Sequence, residues 1–357
     1  LEKLGHGADV ESMVEQYGKK NTKVIDFSSN INPEMPGCID SIIKSGADAL
    51  SRYPDIEYRR VRKNISEYLD IDMEYVIPGN GATELIYLLM KNIGKKIAII
   101  NPTFSEYRRS ATLSGLEVVD FVMDSKNGFR LDIDEIESRI DEFDSLFICN
   151  PNNPDGKLRD IYELMDIMKK HGKLLIVDET FIEFSPMYRE RSLVSELETN
   201  RNLFIIRAAT KFFGMPGIRL GYALTSNKEI IDGIYRYKEP WSLNSFADAA
   251  SEYIFKESEY MERSRKYFEK EIEFMTSELK KIKGINVYET DTNFILIRLD
   301  GIKASEIRKI LFERADILIR DASNFIGLDD SFIRVAVKKH EENIVLINAI
   351  SSVMGLL

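Results

Sequence analysis

Through the middle of the chain, short apolar and β-branched runs alternate with longer stretches whose apolar positions recur at helical spacing. The short runs fall at Tyr75–Pro78, Ile97–Asn101, Glu117–Val122, Ser145–Cys149, Leu174–Asp178, Leu203–Arg207 and Leu220–Thr225. Several are almost wholly apolar, as strands covered by helices on both faces should be. This alternation predicts an α/β domain with a mostly parallel sheet over residues 51–250.

From about Ser251 the pattern changes to one long amphipathic helix carrying Met261, Phe268, Ile272, Met275, Leu279 and Ile282, ended by Gly284. Strand patterns at Ile285–Glu289, Phe294–Leu299 and Phe332–Val337 follow, with helices over Lys303–Arg314 and Glu341–Val353. Residues 251–357 therefore read as a smaller α+β domain. The stretch 1–50 is irregular by comparison and is expected to pack on the small domain or on a partner subunit. At roughly 150 residues per domain, 357 residues also suggest about two domains.

Composition narrows the function classes. The balance of 49 Lys+Arg against 59 Asp+Glu gives a net charge of −10, which argues against a broad surface for nucleic acid or anionic lipid. Cys38 and Cys149 stand in no metal or disulfide spacing, and His6, His171 and His340 are scattered, so no protein-ligated metal site is expected. No apolar run approaches the roughly 18 residues of a spanning helix, and the start is acidic where a signal peptide needs basic residues, so the chain reads as cytoplasmic. It begins at Leu1 rather than Met, which leaves a processed or trimmed start open.

The candidate chemistry lies at strand ends, where open α/β sheets bind ligands. Pro78-Gly79-Asn80-Gly81-Ala82-Thr83-Glu84 sits between a strand and a helix pattern, as a phosphate-binding turn would, or as an ordinary turn with Thr83 as helix cap. Asn150-Pro151-Asn152-Asn153-Pro154-Asp155-Gly156 follows the strand ending at Cys149 and is either a ligand-facing turn or one selected for shape. Asp178-Glu179 closes another strand. Adjacent carboxylates on an extended chain point to opposite sides, so one is expected to face a ligand and the other a structural partner. Thr210-Lys211, followed by Gly214, Pro216-Gly217 and Arg219, places a lysine where partial desolvation frees its amine for Schiff-base chemistry.

In this order along the chain, the motifs resemble the fold type I pyridoxal-phosphate enzymes, and more narrowly the aminotransferase class I/II group, over roughly Asp26 to Ile350. The resemblance implies a large mostly parallel α/β/α domain plus a small α+β domain, and pyridoxal 5′-phosphate as cofactor. It implies that Lys211 carries the cofactor covalently and later moves a proton, and that Asp178 pairs with the ring nitrogen. Asn153 would bond the ring 3-oxygen. Gly81, Ala82, Thr83, Thr210 and Arg219 would hold the 5′-phosphate. Phe104 matches the aromatic that stacks on the ring, and Tyr53 matches a tyrosine reaching the phosphate from the other subunit of a homodimer. Two positions depart from the pattern: Phe181 stands where many relatives have tyrosine, and Ala208 where a serine or threonine often meets the phosphate.

Within the group the chain is most similar to the threonine-phosphate decarboxylases of the cobalamin pathway and the histidinol-phosphate aminotransferases. Segments leaning toward the first include His6-Gly7, Asp26 to Pro33, and Trp241-Ser242-Leu243-Asn244. The resemblance places Arg320 and Arg334 in the substrate pocket beside Asn153, with His6 and Asn32 completing the substrate phosphate end. The expected substrate is a small phosphorylated amino compound. The reaction is then decarboxylation of phosphorylated threonine or a related phosphoamino acid, or, in the alternative, transamination of histidinol phosphate with 2-oxoglutarate. A non-catalytic protein of the same fold would be expected to lack the lysine, and Lys211 is present.

Overall fold

A computed structural model describes Gly7, residues 10–18 and residues 23–356. Its central sheet has seven strands in the order Val76–Asn80, Leu220–Leu224, Leu203–Ala208, Leu174–Asp178, Ser145–Cys149, Lys96–Asn101, Glu117–Val122. Each expected strand of this region is present, with ends moved by at most a few residues. Leu220–Leu224 runs antiparallel to both neighbours, and the remaining pairings are parallel. The reason lies in the connection, residues 209–219, which is too short for a parallel crossover. That connection carries Lys211.

The inner strands Ser145–Cys149 and Leu203–Ala208 are buried along their whole length, because helices cover both faces of the sheet. One face packs Ile77, Ile99, Phe147, Ile176 and Phe204 against the helix Ala82–Met90 and its neighbours. The other face merges into a core that continues into the C-terminal part of the chain. There an antiparallel sheet runs Arg320–Asp321, Phe332–Ala336, Phe294–Leu299, Ile285–Val287.

Two sequence expectations need correction. The long amphipathic helix is present but starts later than Ser251: Ser245–Tyr253 is a separate helix ending in a turn, and the long one runs Ser258–Leu279, carrying Met261, Phe268, Ile272, Met275 and Leu279 and stopping short of Ile282. The first fifty residues are also more regular than their composition implies. They hold helices Val10–Gln16 and Ile39–Asp48 and a short strand Ile25–Asp26 paired in parallel with Ile317–Leu318. Met13 packs against Phe312 and Leu318. The Ala336 amide donates to the Phe27 carbonyl at 2.8 Å, which carries residues 28–30 to the mouth of the central sheet.

Candidate active site

All strands of the large sheet except Leu220–Leu224 point the same way. Their carboxyl ends therefore gather Gly81, Phe104, Asn153, Asp178 and Lys211 along one edge, and the reversed strand begins there with Arg219 just before it. The cavity at this edge is lined by Ala82, Thr83, Phe104, Asn153, Asp178, Thr210, Lys211, Arg219, Arg320 and Arg334. These were singled out from separate parts of the sequence, and the fold brings them together.

At one end of the cavity Gly81 caps the helix Ala82–Met90 with φ of +78°, a conformation that favours glycine. A Cβ there would lie 2.1 Å from Nη2 of Arg219. The loop thus presses the free N–H groups of the first helical turn close to a guanidinium, the chemistry of a phosphate cradle. Gly81 rather than Thr83 is the cap. Phe104 forms a side wall and meets Tyr107 edge to face at 5.6 Å.

At the end of the strand Leu174–Asp178 the two adjacent carboxylates separate as their position on a strand requires. Asp178 faces the cavity, its Oδ2 accepting from the Tyr107 hydroxyl at 2.7 Å and its Oδ1 from the Thr180 amide at 2.8 Å. Burial pushes its pKa above the ordinary carboxylate range. Glu179 faces away and accepts from Arg207, Ser192 and the Leu193 amide, all at 2.8 to 2.9 Å. Arg207 also meets Glu183 at 3.1 Å, so this buried cation joins two carboxylates behind the site.

Lys211 lines the same cavity. Burial, reinforced by Arg334, Arg219 and Lys338, pushes its ammonium down to about 8. A desolvated amine among cations is therefore a free nucleophile in a much larger fraction near neutral pH than an ordinary lysine is.

The remaining wall comes from the antiparallel sheet. Arg320 and Arg334 are directly opposite each other across adjacent strands, so both side chains leave the same face. Arg334 is buried; it donates through Nη1 to Asn153 Oδ1 and through Nη2 to the Ser28 carbonyl at 2.9 Å, while its Nε has no partner among the described residues. Burial and the neighbouring Arg320 bring it down to about 9. Arg320 donates to the Asp321 carbonyl and to Asn324 Oδ1, each at 2.6 Å, and burial brings it to about 10. Neither guanidinium has an ion pair among the described residues.

Two expected residues stand outside this cavity, and a third lies outside the described residues. Asn32 is buried outside the cavity, where its amide donates to the Phe212 carbonyl and the Tyr260 hydroxyl at 2.9 Å, contacts that hold the Lys211 segment rather than a ligand. Two residues earlier, Asn30 lines the cavity, 5% exposed, with Nδ2 lacking a partner among the described residues. Segment 27–32 has no strand geometry, so alternation along the sequence could not choose between the two asparagines. Tyr53 is 80% exposed and rests on Trp241 at 4.8 Å, away from the cavity of its own chain. His6 lies outside the described residues. Tyr107 stands in no recognisable motif and was not found from the sequence; Ser28 falls within the segment Asp26 to Pro33, but its carbonyl contact was not.

The residues present fit pyridoxal phosphate: a cradle that a Cβ would fill, a buried amine, and a buried carboxylate on the same cavity. The comparisons with known proteins agree in family. A putative threonine-phosphate decarboxylase of Caldanaerobacter subterraneus subsp. tengcongensis is 44% identical over 90% of this chain and 88% of its own. The threonine-phosphate decarboxylase of Salmonella typhimurium is 30% identical over 98% of this chain and 96% of its own. The crystal structure of histidinol-phosphate aminotransferase from Clostridium acetobutylicum superposes with a TM-score of 0.88 and 40% identity, covering 93% of this chain and 99% of that one. With the sequence profile described as Aminotransferase class I and II matching residues 22–350, the chain belongs to that family of pyridoxal-phosphate-dependent enzymes.

Proposed function

We propose that the protein binds pyridoxal 5′-phosphate and decarboxylates L-threonine-O-3-phosphate or a closely related phosphoamino acid. The observation that carries this reading is the cross-strand pair Arg320–Arg334. Like charges directly opposite on a sheet repel, and among the described residues neither guanidinium is in a salt bridge, Asp321 and Asp26 acting on them only from a distance. Their arrangement matches a ligand that brings two anionic groups of its own, as a phosphorylated amino acid does.

When bound, the cofactor supplies a ring that accepts the electrons released when a bond to the substrate Cα breaks. The chain's own residues do the rest. The Gly81–Thr83 turn, Thr210 and Arg219 hold the cofactor phosphate. Asp178 holds the ring nitrogen, Asn153 offers its amide to the 3-oxygen, and Phe104 covers a ring face. Lys211 would hold the cofactor covalently and would serve as the amine that takes or returns a proton. Arg334 and Arg320, with the amide of Asn30, bind the substrate's carboxylate and phosphate. Orientation by these groups selects the bond that breaks, since only a bond perpendicular to the ring plane overlaps with the electron-accepting system. His6 and a Tyr53 donated by a second copy of the chain complete the proposed site. We place the enzyme in the cytoplasm as a homodimer with shared sites, its cofactor-binding domain spanning residues 51–250 and its small domain 251–357.

A second reading, histidinol-phosphate aminotransferase, is supported by the 40% identity to the Clostridium acetobutylicum protein. Incubation with O-phospho-L-threonine, and separately with histidinol phosphate plus 2-oxoglutarate, separates the two. Carbon dioxide release without consumption of a keto acid supports the first reading. Glutamate formation from the second mixture replaces it with the alternative.

A further inference from the structure

Beneath the cavity, Tyr107 and Asp178 form a contact that no sequence motif marks. The tyrosine is 1% exposed and the aspartate 4%. The Tyr107 hydroxyl donates to Oδ2 at 2.7 Å, while Oδ1 accepts from the Thr180 amide at 2.8 Å. The phenol ring is held by its stack on Phe147, with centroids 4.0 Å apart and planes 21° from parallel. Phe147 belongs to the fully buried strand Ser145–Cys149. Burial pushes the phenol well above its ordinary range, so it keeps its proton and acts toward the carboxylate as a donor. Among the described residues no cation forms an ion pair with Asp178, which leaves neutral donors to stabilise its charge.

We propose that Tyr107 is a positioning residue that sets how strongly Asp178 competes with the cofactor's ring nitrogen for the proton between them. This rests on the reading that pyridoxal phosphate occupies the cavity with its nitrogen toward Asp178. A hydrogen bond donated to a carboxylate stabilises the ionised form and weakens it as a base. With the Tyr107 bond in place, the proton stays on the nitrogen and the ring keeps its full electron-accepting power. Without it, a buried carboxylate retaining the Thr180 amide as its assigned hydrogen-bond donor takes a larger share of that proton. The tyrosine reaches no reacting atom and acts only through Asp178.

The test uses full-length protein loaded with pyridoxal phosphate carrying ¹⁵N at the ring nitrogen. In Tyr107→Phe, which keeps the ring stacked on Phe147, the ¹⁵N resonance is expected to move from the pyridinium position toward neutral pyridine. Cofactor dissociation should rise about ten-fold or more, the range for losing a hydrogen bond to a charged group. In an Asp178→Ala background the same change at 107 should alter dissociation less than about two-fold, because its target is gone. An unchanged resonance in Tyr107→Phe, or an equal fold-loss in both backgrounds, overturns the proposal. If Phe at 107 impairs folding, 3,5-difluorotyrosine placed at that position by codon suppression preserves the shape and donates more strongly. The resonance should then move further toward pyridinium, and no movement overturns the proposal. Failure of the wild-type protein to retain a borohydride-reduced cofactor on Lys211 refutes the cofactor reading itself, and this inference with it.

Discussion

Arg334 donates from Nη1 to the Oδ1 of Asn153, joining a strand of the C-terminal sheet to the turn that follows a strand of the central sheet. The bond occupies the acceptor side of the asparagine and leaves its amide donors for the cavity. One guanidinium therefore orients a proposed cofactor contact while its neighbouring atoms face the substrate.

This pairing predicts unequal effects. Arg334→Ala should weaken binding of an anionic substrate about 100-fold or more, as expected for removing one partner of a buried charged contact, while cofactor dissociation changes only several-fold. Equilibrium dialysis of both ligands on the same preparation checks it. Equal loss of both contradicts the assignment.

The Arg320–Arg334 pair stores repulsion in the protein without ligand. Replacing Arg320 with Gln should raise the thermal midpoint of the cofactor-free protein and at the same time collapse its preference for O-phospho-L-threonine over L-threonine. Calorimetry and competition binding provide the two measurements. A lowered midpoint would mean that Arg320 is structurally required and is not held in place for an anion.

Lys211 attacks an aldehyde only as the free amine. With its ammonium at about 8, cofactor uptake should accelerate close to ten-fold per pH unit from about pH 6 and level off above about pH 8, whereas an ordinary lysine would keep accelerating to about pH 10. Stopped-flow absorbance on cofactor-free protein records the profile. Removing a neighbouring cation with Lys338→Met should move the plateau to higher pH, because the ammonium is then repelled less.

Asn30 and Asn32 offer a contrast between function and fold. Asn30→Ala is expected to weaken substrate binding with little change in denaturant midpoint. Asn32→Ala removes donors to the Phe212 carbonyl and Tyr260 and should cost about 1–3 kcal/mol of stability. The opposite outcome would restore the assignment made from the sequence.

Behind the site, Arg207→Met leaves Glu179 and Glu183 buried without their shared cation. Such a change typically costs about 3–5 kcal/mol, measurable by urea denaturation. A loss below about 1 kcal/mol would show that solvent or Arg265, which meets Glu183 at 3.1 Å, compensates.

The chain's local patterns determined the strands of the central sheet, the helices between them and the residues at their carboxyl ends, because apolar runs and Pro/Gly turns are properties of consecutive residues. Lys211, Asp178 and Asn153 were legible for that reason: each stands at a strand end beside a turn. The relationships between distant segments were decided only in three dimensions. The choice of Asn30 over Asn32 depended on how an irregular segment docks on the strand Phe332–Ala336. The facing of Arg320 and Arg334 required the register between two strands, one of them only two residues long. Tyr107 met Asp178 because a helix packs across the sheet, and a buried tyrosine carries no local mark of what its hydroxyl will touch. Periodicity reports which side of an element is buried, whereas the partner on that side is chosen by packing among elements far apart in sequence.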